Sequence, residues 1–184
     1  PDGALRLVTI DKNGGMRPMG ALVSATTQSS DAYAARADGK VIVGESKVND
    51  GVLLSINEAF VWNPRQGMRA LKDILLAGDP GLAPTLSRWR LASARAINSD
   101  GTVIVGVAED TLSDPILPYT QPFMAQIPKF CTADFNLSGT NTVQDLFDFL
   151  VAWFAHQPSA DVNDDGAVTV QDLFDFLTAW FGGC

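Results

Sequence analysis

The sequence predicts a multidomain β plus α chain. Antiparallel β repeats, propeller-blade-like and incomplete, come first. A small α-helical module built from two loop–helix units follows. Three observations predict this class. Asp-Gly pairs flanked by apolar alternation recur in the first two thirds of the chain, and such pairs mark tight hairpins because Gly accepts positive φ. The segment VQDLFDFL occurs twice, at 143–150 and at 170–177. An acidic loop leads into each copy.

The β zone spans 1–128. ARADGKVIVGES (35–46) resembles AINSDGTVIVGVA (96–108), and Asp38-Gly39 of the first matches Asp100-Gly101 of the second. Strands are expected at Val41–Val43 and Val103–Val105. LVTIDKNGGMRPMG (7–20) and AFVWNPRQGMRALK (59–72) each read as strand, turn, strand, and PFMAQI (122–127) as a further strand. Repeats of this length made of short strands suggest stacked blades. Residues 74–92 and 109–121 read as loops, with one helical turn near Leu71–Leu76. The opening PDGALRLVTI reads as mid-structure, so the chain is expected to be the C-terminal part of a longer protein.

Charge separates the two zones. The net formal charge is −8. From Cys131 to Cys184 there are eight Asp and no Glu, Lys or Arg, while residues 1–130 hold 13 acids and 13 bases. This argues against nucleic acid as a partner, since phosphate binding needs clustered Lys and Arg. The concentrated negative charge asks for a cation. No apolar run reaches the roughly 18 residues of a membrane span.

The two acidic loops, DFNLSGTNTVQD (134–145) and DVNDDGAVTVQD (161–172), both fit D-x-N-x-[SD]-G-x₅-D. This is an EF-hand-like calcium pattern with Asp as the last ligand. Calcium takes six to eight oxygens, and alternate loop residues supply them. The first site maps to Asp134, Asn136, Ser138, the Thr140 carbonyl, Thr142 through water, and Asp145. The second maps to Asp161, Asn163, Asp165, the Ala167 carbonyl, Thr169 through water, and Asp172. Gly139 and Gly166 stand at the sharp turn. The second loop offers three carboxylates and the first two, so two calcium ions are expected, with 161–172 the tighter site. The competing reading is a pair of Asx-rich turns that cap helices without metal.

Two resemblances follow from these residues. The pattern A…DG…VIVG…EAFVW…GM resembles the HAF-type extracellular repeat, and implies a β-propeller-like domain. Loop followed by helix, twice, over 131–184, resembles the type I dockerin. The FGGC ending is similar to the Gly-Cys-terminated bacterial anchor variety. The dockerin resemblance implies a non-catalytic, exported module that docks its protein onto a cohesin-like or other partner at the bacterial cell surface. It also implies partner selection at loop positions 10 and 11, here Val143-Gln144 and Val170-Gln171. These are commonly small polar residues in cellulosomal dockerins, so the pattern departs from that of a standard cohesin partner.

The helices carry two apolar stripes each. Leu146, Phe149, Leu150 and Trp153 form one; Val143, Phe147 and Phe154 lie beside it. Leu173, Phe176, Leu177 and Trp180 repeat the first, with Val170, Phe174 and Phe181 beside them. Either both stripes are core, or one stays exposed as a partner surface around Phe147 and Phe174 or packs onto the β zone. Cys131 and Cys184 bracket the module. A disulfide closing it would stabilise by roughly 4 kcal/mol and imply an oxidising, exported location; the alternative is a free Cys184 used for attachment. His156 is the only histidine and reads as solvated, so no Ser-His-Asp or zinc arrangement is expected. Glu45, Glu58, Glu109 and Asp110 are ungrouped, and the chain is expected not to be an enzyme. An enzyme delivered by its docking module, or a purely structural calcium-stapled cap, are the other readings.

Overall fold

The computed structural model describes residues 8–10, 16–20, 22, 29–49, 55–113, 118–136, 138, 140–163 and 165–183. They form two compact units, one mainly Met16–Pro128 and the other mainly Lys129–Cys184. The expected fold class is corrected. In place of propeller-blade-like repeats followed by an α-helical dockerin with two calcium loop–helix units, the described residues form a mixed α/β arrangement. It has two larger antiparallel sheets of seven strands together, a separate two-stranded pair and four α-helices, and no dockerin-like calcium-loop unit is evident. The physical reasons are local. Apolar residues between the two sheets need burial and form helices there. In the second unit the last loop aspartates turn inward as helix caps.

β1 (Val8–Ile10) pairs with β2 (Met16–Pro18), and the first unit runs on from β2. A four-stranded antiparallel meander follows: β3 (Ser30–Ala35), β4 (Ile42–Asn49), β5 (Ser55–Asn63) and β6 (Gly67–Ala70). A three-stranded meander comes next: β7 (Trp89–Ile97), β8 (Val103–Asp110) and β9 (Thr120–Gln126). Side chains alternate along a strand, so β8 buries Ile104, Gly106, Ala108 and Asp110 on one face. Phe60 and Met68 pack with Leu22, Val48 and Ala70 into a core that Ile56 and Trp62 flank.

The repeat read from the sequence is a repeat of backbone. In the β3–β4 hairpin Arg36 N–H donates to the Val41 carbonyl at 2.8 Å, and Gly39 takes φ 71°. In the β7–β8 hairpin Asn98 N–H donates to the Val103 carbonyl at 3.0 Å, and Gly101 takes φ 76°. Ala35 pairs with Ile42, and Ile97 with Ile104. Both first strands slip register at equivalent places, between Ala32 and Ala34 and between Ala94 and Ala96. At the slip the chains come so close that only glycine fits. A Cβ on Gly44 would lie 1.9 Å from the Asp31 carbonyl oxygen, and one on Gly106 would lie 1.9 Å from that of Ser93.

Residues 74–92, expected as a loop, are largely helical. α1 (Leu71–Gly78) continues directly from β6, and α2 (Ala83–Arg88) leads into β7. Leu71, Ile74 and Leu86 are buried, which is what ties these short helices to the unit. A cavity of about 520 Å³, lined in part by Leu75, Leu82, Leu86, Trp89, Phe123 and Met124, lies between them and the second sheet.

In the second unit, α3 (Val143–Phe154) and α4 (Val170–Gly182) carry the duplicated segment. Thr142 and Thr169 cap them, each reciprocated by an Asp at the third helical position. α3 stops where His156 turns to φ 49°, and α4 where Gly183 turns to φ 71°. Phe149 and Phe176 are fully buried with Ala152, Ala160 and Val162. Burying each ring contributes about 1.5–3 kcal/mol. Leu146, Leu150, Trp153, Leu173 and Trp180 close around them. Among the described residues no helix is long and apolar enough to cross a membrane.

Candidate functional site

Asp145 and Asp172, expected as the last metal ligands, are fully buried and bridge both ends of their loops. Asp145 Oδ1 accepts from Asn136 N–H at 3.0 Å, and Oδ2 accepts from Thr142 N–H at 2.8 Å and the Thr142 hydroxyl at 3.0 Å. Asp172 repeats the pattern. Its Oδ1 accepts from Val162 and Asn163 N–H, and its Oδ2 from Thr169 N–H at 2.8 Å and the Thr169 hydroxyl at 3.3 Å. Burial pushes the Asp145 carboxyl up. The N–H groups of Asn136, Thr142 and Phe135, with the Thr142 hydroxyl, outweigh it and hold the group below the ordinary carboxylate range.

The remaining loop oxygens lie close together in the first loop. Asp134 Oδ1 and Asn136 Oδ1 both accept from Ser138 N–H, at 2.8 and 3.0 Å. Ser138 Oγ lies 3.5 Å from Asp134 Oδ1 and 3.2 Å from the Thr140 carbonyl oxygen. In the second loop Asp165 N–H donates to Asp161 Oδ1 at 3.0 Å and to Asn163 Oδ1 at 2.9 Å. Asp161 Oδ2 accepts from Gly166 N–H at 2.8 Å, and Asp165 Oδ1 from Ala167 N–H at 3.0 Å. Gly166 takes φ 95°, the turn expected of it; Gly139 lies outside the described residues. Among the described residues no group of three or more His, Cys, Asp or Glu side chains is arranged to hold a metal.

Two residues that the sequence reading passed over complete each loop. Asp148 on α3 accepts from the Asn136 side-chain amide at 3.2 Å and from Gln144 Nε2 at 2.8 Å. Asp175 on α4 accepts from the Asn163 amide at 3.3 Å and from Gln171 Nε2 at 2.9 Å. Gln144 and Gln171, expected to face a partner, are exposed yet tied to their own helices. The signal was available as a second Asp shortly after the last loop position in both copies.

The second apolar stripe is exposed. Val143, Phe147, Val151 and Phe154 run along α3, and Val170, Phe174 and Phe181 along α4, each more than half exposed. Phe135, at loop position 2, is partly buried and packs edge-on to Phe149 and Phe176. Cys131 is disulfide-bonded; Cys184, the other cysteine of the chain, lies outside the described residues. His156 is exposed. Of the ungrouped acids, Glu109 pairs with Arg90 and Asp110 with Arg88.

No family model matches the chain, and neither the curated proteins nor the solved structures contain a significant match.

Proposed function

We propose that the C-terminal unit takes up calcium through its two acidic loops and presents an apolar helical surface to a partner outside the cell. The observation that carries this reading is the first loop's oxygen cluster. Around a cation with oxygens at about 2.4 Å, neighbours at right angles lie about 3.4 Å apart. The spacings of 3.2 and 3.5 Å about Ser138 Oγ are of that size. Asp134, Asn136, Ser138 and the Thr140 carbonyl would hold the first ion, and Asp161, Asn163, Asp165 and the Ala167 carbonyl the second. Asp145 and Asp172 use lone pairs on N–H donors but retain acceptor capacity. The eight aspartates between Cys131 and Cys184, with no base among them, repel one another, and bound divalent cations would relieve that repulsion. Calcium supplies a fixed point that holds the loops in one shape.

The exposed stripe supports docking. Seven large apolar side chains, exposed on two helices related by sequence duplication, form the kind of surface that marks an interaction site. A disulfide-bonded Cys131 favours an exported location, at the cell surface or beyond. The partner is a cohesin-like or other cell-surface protein, and the role is adhesion rather than catalysis.

Sedimentation of the full-length protein with envelopes of its own cells tests this. Binding is expected in calcium, lost with chelator, and lost in Phe147→Glu/Phe174→Glu. Equal binding in all three conditions contradicts the reading.

A further inference from the structure

We propose that Asp148 and Asp175 are positioning residues for the cation, each fixing which end of a loop asparagine amide faces the loop interior. The proposal rests on the calcium reading above. An asparagine side chain offers oxygen on one side and nitrogen on the other, and only the oxygen can ligate a metal. Something must hold it the right way round.

In both loops the choice is made twice over. Asn136 turns its NH₂ to Asp148 Oδ2 at 3.2 Å, and a carboxylate can only accept. Its Oδ1 meets Ser138 N–H at 3.0 Å, and an amide N–H can only donate. Turning the amide over would set oxygen against carboxylate and NH₂ against N–H. Asn163 repeats the arrangement, with Asp175 Oδ2 at 3.3 Å and Asp165 N–H at 2.9 Å. Asp134 Oδ1 and Asp161 Oδ1 accept from those same N–H groups, so the asparagine oxygen converges with the first loop carboxylate. The carboxylates of Asp148 and Asp175 are themselves steadied on their other oxygen by Gln144 and Gln171, one helical turn back. Loop position 3 is thus set from the first turns of the following helix, identically in both copies.

Calorimetric titration of the full chain with calcium chloride tests the assignment, with far-UV circular dichroism showing that the helices persist. Asp148→Ala/Asp175→Ala should weaken calcium binding about tenfold, the usual cost of losing a group that orients a ligand. Asp148→Asn/Asp175→Asn keeps an acceptor and should lose less. In an Asn136→Asp/Asn163→Asp background, position 3 has oxygen on both sides and needs no orienting. There the alanine changes should no longer weaken binding. Equal weakening in both backgrounds would mean that Asp148 and Asp175 act by charge alone, and would overturn the proposal. So would wild-type affinity in the alanine variants. If a double variant loses its helices, the single changes carry the same comparison loop by loop. No calcium uptake by the unaltered protein would instead overturn the calcium reading, and this one with it.

Discussion

Phe149 stacks on Phe176 with ring centroids 4.1 Å apart and planes within 4° of parallel. The two occupy the same place in the two copies of VQDLFDFL. Trp153 Nε1 donates to the Thr169 carbonyl at 2.7 Å, and Trp180 Nε1 to the Thr142 carbonyl at 3.2 Å. Each helix therefore reaches to the cap of the other, about a near two-fold relation that passes through the stacked pair. Truncation should expose this. Phe149→Ala or Phe176→Ala is expected to cost about 3–5 kcal/mol, read as loss of the unit's own transition in denaturant by tryptophan fluorescence. Phe147→Ala and Phe174→Ala, on the exposed stripe, should change it by less than about 0.5 kcal/mol.

In the β unit the sensitive positions are Gly44 and Gly106. A Cβ at either runs into backbone oxygen 1.9 Å away, and backbone cannot swing aside. Each Gly→Ala change should destabilise by at least about 1–3 kcal/mol. Thermal melts would show it, with Gly67→Ala, at positive φ but in open space, losing less, about 1 kcal/mol.

Acid should loosen the loops through Asp145. Its folded pKa is depressed, so its carboxylate contributes stability above the ordinary aspartate value of about 3.9. That contribution is lost as pH falls through the lower folded value. Stability of the helical unit in chelator should therefore hold at neutral pH and decline only below about pH 4. Asp145→Asn would turn an amide NH₂ toward N–H donors. It should lower stability at pH 7 and flatten the acid-side decline, as followed by helix content against pH.

Reduction should also matter. Opening the disulfide at Cys131 removes a constraint worth about 4 kcal/mol for a loop of this length. The denaturation midpoint of the helical unit should drop with reductant, and that of the β unit should stay.

Much of this was legible in the chain. Asp38-Gly39 and Asp100-Gly101 mark their turns because a positive φ there demands glycine, a local requirement. The apolar period and threonine caps announce α3 and α4 equally locally. What was not legible depends on tertiary surroundings. Residues 83–88, APTLSR, have little helical signal; burial of Leu86 holds them helical. The blade-and-dockerin fold class failed for the same reason, since the motif could not say that the segment joining the two sheets would turn helical. In the loops, spacing singled out Asp145 and Asp172 as the expected last metal ligands. It could not say that their oxygens would be engaged by N–H groups at both ends of the loop, nor that Asp148 and Asp175 would take hold of the asparagines.

The most direct measurement is a calorimetric titration of the full chain with calcium. Two ions are expected to bind, the tighter at 161–172, with Asp161→Ala removing the tighter step and Asp134→Ala the weaker. Absence of heat and of any gain in helix content at millimolar calcium would contradict the calcium reading.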